Sequence, residues 1–300
     1  MAGCPSWSKG VDLRSTVFLH SRVRVPSLLS LLNILFYFNK MFTDDIDSSS
    51  YRNGVPKKYW HMKDREFDDW EIPPWEVILD RSQCLGKGSF GHVFLGRWRY
   101  IDVAVKVVTD PNLSALFIEE FNTMTHVRHP NVVQLLGYVK EPFMIVMEYL
   151  PGGSLKSLNI EQALDILKAL YYLHERRPTQ IIHRDVKPSN IVLTKSGRPK
   201  LVDFGLSKCK DLENYENTIG SVGTKHFRAP EVKVGNYDHR IDIWSVGMVL
   251  LKFFGQPDII KYINTSMIVE DPQGRKTIPE IIKFFENWES SIQPRGCFYY

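Results

Sequence analysis

After Trp75 the apolar positions first fall in short β-like runs and later recur at helical spacing. Val77–Leu79, Val93–Leu95, Val103–Val108, Val132–Leu136 and Phe143–Met147 are rich in β-branched residues and bounded by Gly, Asn or Pro, which predicts strands. One helical stretch interrupts them, because Leu116, Phe117, Glu120, Met124 and Val127 recur at spacings of three and four. From Pro151 onward the pattern is mainly helical. Ile160, Ala163, Leu164, Leu167, Leu170 and Leu173 line one helix, and Asp242–Phe254 forms a strongly apolar second one. Ile191–Leu193 and Lys200–Val202 read as two short strands between them. The predicted order is a small β-rich half with one helix, followed by a larger helical half, with no internal repeat.

Ahead of this lies a different kind of sequence. Residues 1–43 hold Lys9, Arg14, Arg22, Arg24 and Lys40 against the single acid Asp12, and one apolar run, Ser27–Phe38. That run is too short for a bilayer span, which needs about 20 apolar residues. Its setting fits a signal-peptide core, an organellar presequence or an amphipathic helix lying on a membrane. No small-residue cleavage site follows it, since Asn39-Lys40-Met41-Phe42 comes next. A non-structural extension, with Met41 as an alternative start, is the plainer reading. Residues 44–74 form a polar, aromatic-punctuated linker ending in Ile72-Pro73-Pro74-Trp75.

Composition narrows the class. The 300 residues are 43% hydrophobic and 24% charged, which excludes wholesale disorder. The net charge of +4 is too small to argue for nucleic acid, and the whole excess sits in residues 1–43, leaving the rest of the chain neutral. Cys4, Cys84, Cys209 and Cys297 show no C-x-x-C spacing, so neither a zinc cluster nor a disulfide framework is expected. A reducing, cytoplasmic setting is the default expectation, with organellar or membrane association if residues 1–43 act as a targeting segment.

Gly86-Lys87-Gly88-Ser89-Phe90-Gly91 followed by Val93 reads G-x-G-x-x-G-x-V. Alone it also fits a dinucleotide site or a turn that merely needs glycines. A dinucleotide loop opens a helix, with an acid about 20 residues later. Here a strand follows, then Val103-Ala104-Val105-Lys106, as in a hairpin folded over nucleotide phosphates. Lys106 stands in an apolar run, where an ammonium is expensive to bury without anionic partners. Glu120 on the next helix and phosphate oxygens are the candidates; a lysine whose head reaches water is the alternative.

His183-Arg184-Asp185-Val186-Lys187-Pro188-Ser189-Asn190, then Ile191-Val192-Leu193 and Asp203-Phe204-Gly205, settle the order of motifs. This set resembles the catalytic loop and metal-binding motif of protein kinases. The resemblance continues through Met147-Glu148-Tyr149-Leu150 as a hinge and Gly223-Thr224 with Ala229-Pro230-Glu231 as the end of an activation segment. Asp242-Ile243-Trp244 and Arg275 complete it, the latter as an ion-pair partner for Glu231. Gly96-Arg97-Trp98-Arg99 and His129-Pro130-Asn131 are similar to the tyrosine-kinase-like group, with its Raf-like and integrin-linked-like members.

The resemblance implies an α+β, two-lobed kinase fold with a β-rich N-lobe carrying one helix (75–147), a hinge (148–150), a mainly helical C-lobe (151–290) and a tail (291–300). It implies ATP and Mg²⁺ as cofactors and a Ser/Thr-bearing protein as substrate, with no nucleic acid partner. Asp185 then accepts the hydroxyl proton, Asn190 and Asp203 hold the metal, and Lys106 with Glu120 grips phosphate. Lys187 and Thr224 follow the serine/threonine pattern and brace Asp185. Gly86, Lys87, Gly88, Ser89, Phe90, Gly91, Val93, Ala104, Met147, Glu148, Leu150 and Val192 are placed around the nucleotide, with Met147 at the gatekeeper position. Met124, Leu135, His183 and Phe204, anchored by Asp242, map onto the packed spine of active kinases. Arg184 and Lys208 form a candidate basic pocket for a phosphate on Thr218 or Ser221. A pseudokinase scaffold, a dual-specificity kinase and a small-molecule phosphotransferase are the rival readings. Two stretches are short for the family: little room is left between Leu155 and Ile160, and a helix is expected to be missing between Pro257 and Asp271.

Overall fold

The computed structural model describes residues 51–52, 55–56, 68–88, 91–108, 114–211, 223–235 and 237–292. The extension 1–43, Ser89, Phe90, Thr218 and Ser221 lie outside the described residues. Strands β1 (Tyr51–Arg52) and β2 (Val55–Pro56) pair antiparallel as an isolated ribbon. Strands β3 (Val77–Gly88), β4 (Gly91–Trp98), β5 (Ile101–Val107), β6 (Leu135–Lys140) and β7 (Phe143–Glu148) build an antiparallel sheet in the order β3-β4-β5-β7-β6. Alternation explains how the sheet is covered. Val103, Val105 and Val107 join Val77, Val139, Met144 and Val146 in a cluster on one face, while Ala104 packs against the main core on the other.

The expected strand Val132–Leu136 is divided. Val132 makes a parallel bridge to Leu201, and the backbone around it is tied by Leu201 N–H to Asn131 O (2.9 Å) and Val133 N–H to Leu201 O (2.9 Å). Only from Leu135 does the chain enter the large sheet. Helix α1 (Ser114–Thr125) buries Phe117, Glu120 and Met124 of the predicted pattern and adds Phe121, while Leu116, expected on the same face, is exposed.

Residues 68–72 are part of the fold and not linker. Ile72 N–H donates to Tyr138 O at 2.7 Å and Tyr138 N–H to Trp70 O at 2.9 Å, so this strap runs along β6 with Glu71 bridged parallel to Tyr138. Asp68 fixes its start, accepting from the backbone N–H groups of Trp70 and Glu71 and from the Tyr138 hydroxyl at 2.7 Å.

The second half contains β8 (Gly153–Ser154), α2 (Ile160–His174), β9 (Thr179–Ile182), β10 (Ile191–Leu193), β11 (Pro199–Leu201), β12 (Lys208–Asp211), α3 (Arg240–Phe253), α4 (Pro257–Ser266) and α5 (Ile278–Ile292). Strand β10 lies between β11 and β8, and β12 pairs with β9. Helix α2 opens five residues after β8, with Asn159 and Gln162 forming a reciprocal capping box, and the stretch between Pro257 and Asp271, where a helix is expected to be missing, holds the ten-residue α4. The lobe stays closed through Arg275, whose buried guanidinium meets Glu231 at 2.5 and 2.9 Å, donates to Val269 O and lies over Trp244.

His239, just ahead of α3, packs 4.9 Å from the His174 ring among Asp238, Arg240 and Asp242. Burial first, and then the neighbouring His174, push its pKa down to about 4. Between pH 6.5 and 4 the unfolded chain therefore binds a proton at this site that the folded chain does not, so stability falls as the solution is acidified through that window. Denaturant titrations at pH 7 and pH 5 will show a smaller loss for His239→Gln than for the unaltered chain; equal losses would remove His239 from the acid limb.

Candidate active site

Strands β3 and β4 flank the glycine motif, and a side chain at Gly91 would land on the Val107 carbonyl oxygen, so Gly91 lies close against β5. Gly88 pairs with Gly91, while Lys87 is exposed opposite His92. Leu85, 43% exposed just before Gly86, is an apolar group of this edge that motif reading passed over, because it lies outside the glycine pattern. Val93 stands opposite Lys106, and Ala104 opposite Met147, so the sheet brings these positions together. Val192 sits on β10 opposite Ser154. Met147 and Leu150 are buried. Glu148 is braced from both sides, accepting from Gln134 N–H at 2.7 Å and from Lys200 Nζ at 2.6 Å.

Lys106 is 4% exposed. Its Nζ lies 2.8 and 2.7 Å from the two Glu120 oxygens and 2.8 Å from Asp203 Oδ1, so one ammonium joins α1 to the Asp203-Phe204-Gly205 turn. Burial works against that charge, but the Glu120 and Asp203 carboxylates outweigh it and hold the amine above its ordinary value. Burial likewise opposes the Asp203 charge, and Lys106 prevails, lowering its pKa.

Asp185 is the second focus. Its Oδ1 accepts from Thr224 N–H (3.0 Å) and Thr224 Oγ1 (2.8 Å), and its Oδ2 lies 2.7 Å from Lys187 Nζ and 3.0 Å from Asn190 Nδ2. Lys187 also donates to Thr224 Oγ1 at 2.9 Å. The four predicted residues therefore form one hydrogen-bonded group. Gly223 supplies the approach, with φ 86° and space for a side chain blocked by Arg184 O at 2.6 Å.

Behind both foci stands Asp242, fully buried, accepting from His183 N–H (2.8 Å), Arg184 N–H (2.9 Å) and His174 Nε2 (2.9 Å). Burial opposes its charge, and the His174 hydrogen bond leads the contacts that hold its pKa low. His174 was missed by sequence reading, although it continues the apolar stripe Ala163, Leu167, Leu170 on α2. His183 and Phe204 rings are 5.1 Å apart, and Met124, Leu135 and Phe204 share one core cluster. Arg184 and Asp203 adopt φ 67° and 65°, a left-handed backbone rare outside glycine and concentrated at functional sites. The Arg184 guanidinium is directed to Leu206 O, Ser207 O and the Tyr237 hydroxyl, while Lys208 stands opposite Ile182 in the β9–β12 pair.

Residues 79–293 match the family described as protein kinase domain. The chain is 40% identical over 215 residues to serine/threonine-protein kinase VIK of Arabidopsis thaliana, covering 63% of this chain and 49% of that protein. It is 37% identical over 292 residues to the probable serine/threonine-protein kinase drkA of Dictyostelium discoideum, covering 81% and 44%. Integrin-linked protein kinase 1 of Arabidopsis thaliana shares 33% over 210 residues, covering 62% and 43%. The chain thus spans about half the length of the relatives it matches. A two-lobed fold, the Lys106–Glu120–Asp203 junction and a match over most of the chain agree: it belongs to the protein kinase domain family.

Proposed function

We propose that this chain transfers the γ-phosphoryl group of ATP to serine and threonine hydroxyls of protein substrates, with Mg²⁺ as the divalent ion. The observation that carries the reading is the Asp185 group, in which one carboxylate is held by Lys187, Thr224 and Asn190 at once. Such a carboxylate accepts the proton of an incoming hydroxyl, and the adjacent Lys187 ammonium offsets charge gathering there. Lys106, held as a cation, neutralises phosphate oxygens while Glu120 fixes its head.

The donor set fits a hard divalent ion. Asn190 directs its amide NH₂ to Asp185, leaving Oδ1 for coordination, and Asp203 contributes a carboxylate kept ionised by Lys106. When bound, the ion supplies charge neutralisation at the phosphates. The names of the serine/threonine kinase relatives support the choice of acceptor, as does the Lys187–Thr224 contact.

Incubation with Mg²⁺ and γ-labelled ATP and a mixed protein substrate, followed by acid hydrolysis, will yield labelled phosphoserine and phosphothreonine. Label confined to phosphotyrosine would overturn the acceptor assignment. Label on a small metabolite alone would overturn the protein substrate.

A further inference from the structure

A cavity of about 90 Å³ opens between the end of α2, the start of α3 and the turn ahead of α5, and no step of phosphoryl transfer uses it. That volume is several times what one water molecule needs. Its wall includes His174 and Glu175 where α2 ends, His239 and Arg240 where α3 begins, and Arg275 and Lys276 ahead of α5. Three of these six are fixed cations and one is an acid. The acids that pair with the cations, Glu231, Asp238 and Glu280, stand outside the wall.

His174 indicates what the cavity takes. The residue is 2% exposed, and its Nε2 lies 2.9 Å from Asp242 Oδ2, whereas its Nδ1 has no hydrogen-bond partner among the described residues. A buried polar atom left in that state costs free energy. Around it the chemistry is that of donors. Arg240 donates to Asp238 and Lys276 to Glu280, and each side chain has further N–H groups to give. Such a wall calls for an acceptor, and a protonated His174 joins it, because an imidazolium donates from both nitrogens. Glu175 and Lys276 are exposed, so the cavity is open to solvent.

We propose that this cavity binds a free tetrahedral oxyanion of the phosphate class. The anion and one proton enter together. Nε2–H stays on Asp242, Nδ1 takes a proton from solution, and the imidazolium bridges the Asp242 carboxylate and the anion. An ion pair then replaces a bond from a neutral ring. Asp242 also accepts from the His183 and Arg184 N–H groups, so occupancy firms the backbone immediately ahead of Asp185.

Sulfate is the probe, because it stays doubly charged between pH 6 and pH 8. Facing His174 are Asp238, His239, Arg240 and Asp242 on the α3 side, Glu175 beyond α2, and Arg275 with Lys276 before α5. His183 meets Asp242 through its backbone N–H. Of these types only histidine ordinarily titrates near that range, and burial holds His239 at about 4.

The test titrates the full chain with sulfate by calorimetry, with Mg²⁺ and a non-hydrolysable ATP analogue present to occupy the site at Lys106. Affinity should fall as the pH rises from 6 to 8; a flat profile overturns His174 as the receiving group. His174→Gln keeps an amide donor for Asp242 but has nothing at Nδ1. It should weaken binding about tenfold, the worth of one charge-assisted hydrogen bond. Lys276→Gln changes only the exposed rim, so it folds even if His174→Gln does not, and it should weaken binding about twofold. No sulfate binding to the unaltered chain, or equal affinity in both variants, overturns the site. Tighter binding of glycerol phosphate than of inorganic phosphate overturns the free anion as occupant. Hydrogen exchange reads the link to Asp242: saturating sulfate should slow the His183 and Arg184 amides. Equal exchange with and without sulfate overturns that link.

Discussion

Asp185→Asn will lower phosphate transfer by about a thousandfold while leaving nucleotide binding nearly intact. The reasoning is local. The amide keeps an oxygen that accepts from Thr224, so the backbone around Gly223 and Thr224 stays in place. What it loses is the basic oxygen lying 2.7 Å from Lys187 Nζ. An amide nitrogen there sets donor against donor with Lys187 and Asn190, but Lys187 is partly exposed and turns to water. The melting temperature should therefore move little. Radiolabel transfer read beside titration with a non-hydrolysable ATP analogue separates chemistry from binding. Equal incorporation by variant and unaltered chain would sink the role of Asp185 as base.

Lys106→Met will abolish transfer and, unlike Asp185→Asn, will also destabilise the fold. Glu120 is 2% exposed, and without its partner it keeps a carboxylate in the interior, a situation that typically lowers stability by about 3–5 kcal/mol. Burial already pushes the Glu120 carboxyl upward, with Lys106 the main opposing influence. In the variant the folded pKa lies above the unfolded one, so stability is retained in acid and lost as the pH rises through the folded value. Denaturant midpoints should accordingly differ more from the unaltered chain at pH 8 than at pH 5. The double replacement Lys106→Met with Glu120→Met removes the stranded charge and should recover most of the stability but none of the transfer. A double variant as unstable as the single one would place the cost in packing instead of charge.

These cases show which features a sequence can announce. Lys106, Asp185, Asn190 and Asp203 are legible because each task needs one side-chain type, and a charged residue in an apolar run asks for a partner. Glu120 is legible through helical spacing, and the helix itself through Phe117 and Met124. The strap was read as linker because backbone atoms at Trp70 and Ile72, which carry no residue signature, make part of its link to Tyr138, and the Asp68–Tyr138 side-chain bond joins residues 70 apart. Val132 misled for a related reason: β-branched residues report a pleated surface but not which sheet owns it, and here the run serves two. His174 announced itself only as one more position in an apolar stripe. Its bond to Asp242 joins residues 68 apart, a distance no local pattern spans.

The contact that closes the lower lobe has a kinetic side. Glu231 and Arg275 are separated by 44 residues, and the chain between them contains α3 and the single ten-residue α4. So short an excursion keeps the loop whose ends must meet small. The saving in closure entropy is small, about 0.6 kcal/mol for each halving of length. It acts before the pair is made, however, so it favours the search for the contact as well as the finished lobe. A lobe closed by so short an excursion should assemble early during refolding, leaving the five-stranded sheet, with Ile72 of its strap bonded to Tyr138 of β6 66 residues downstream, as the later step.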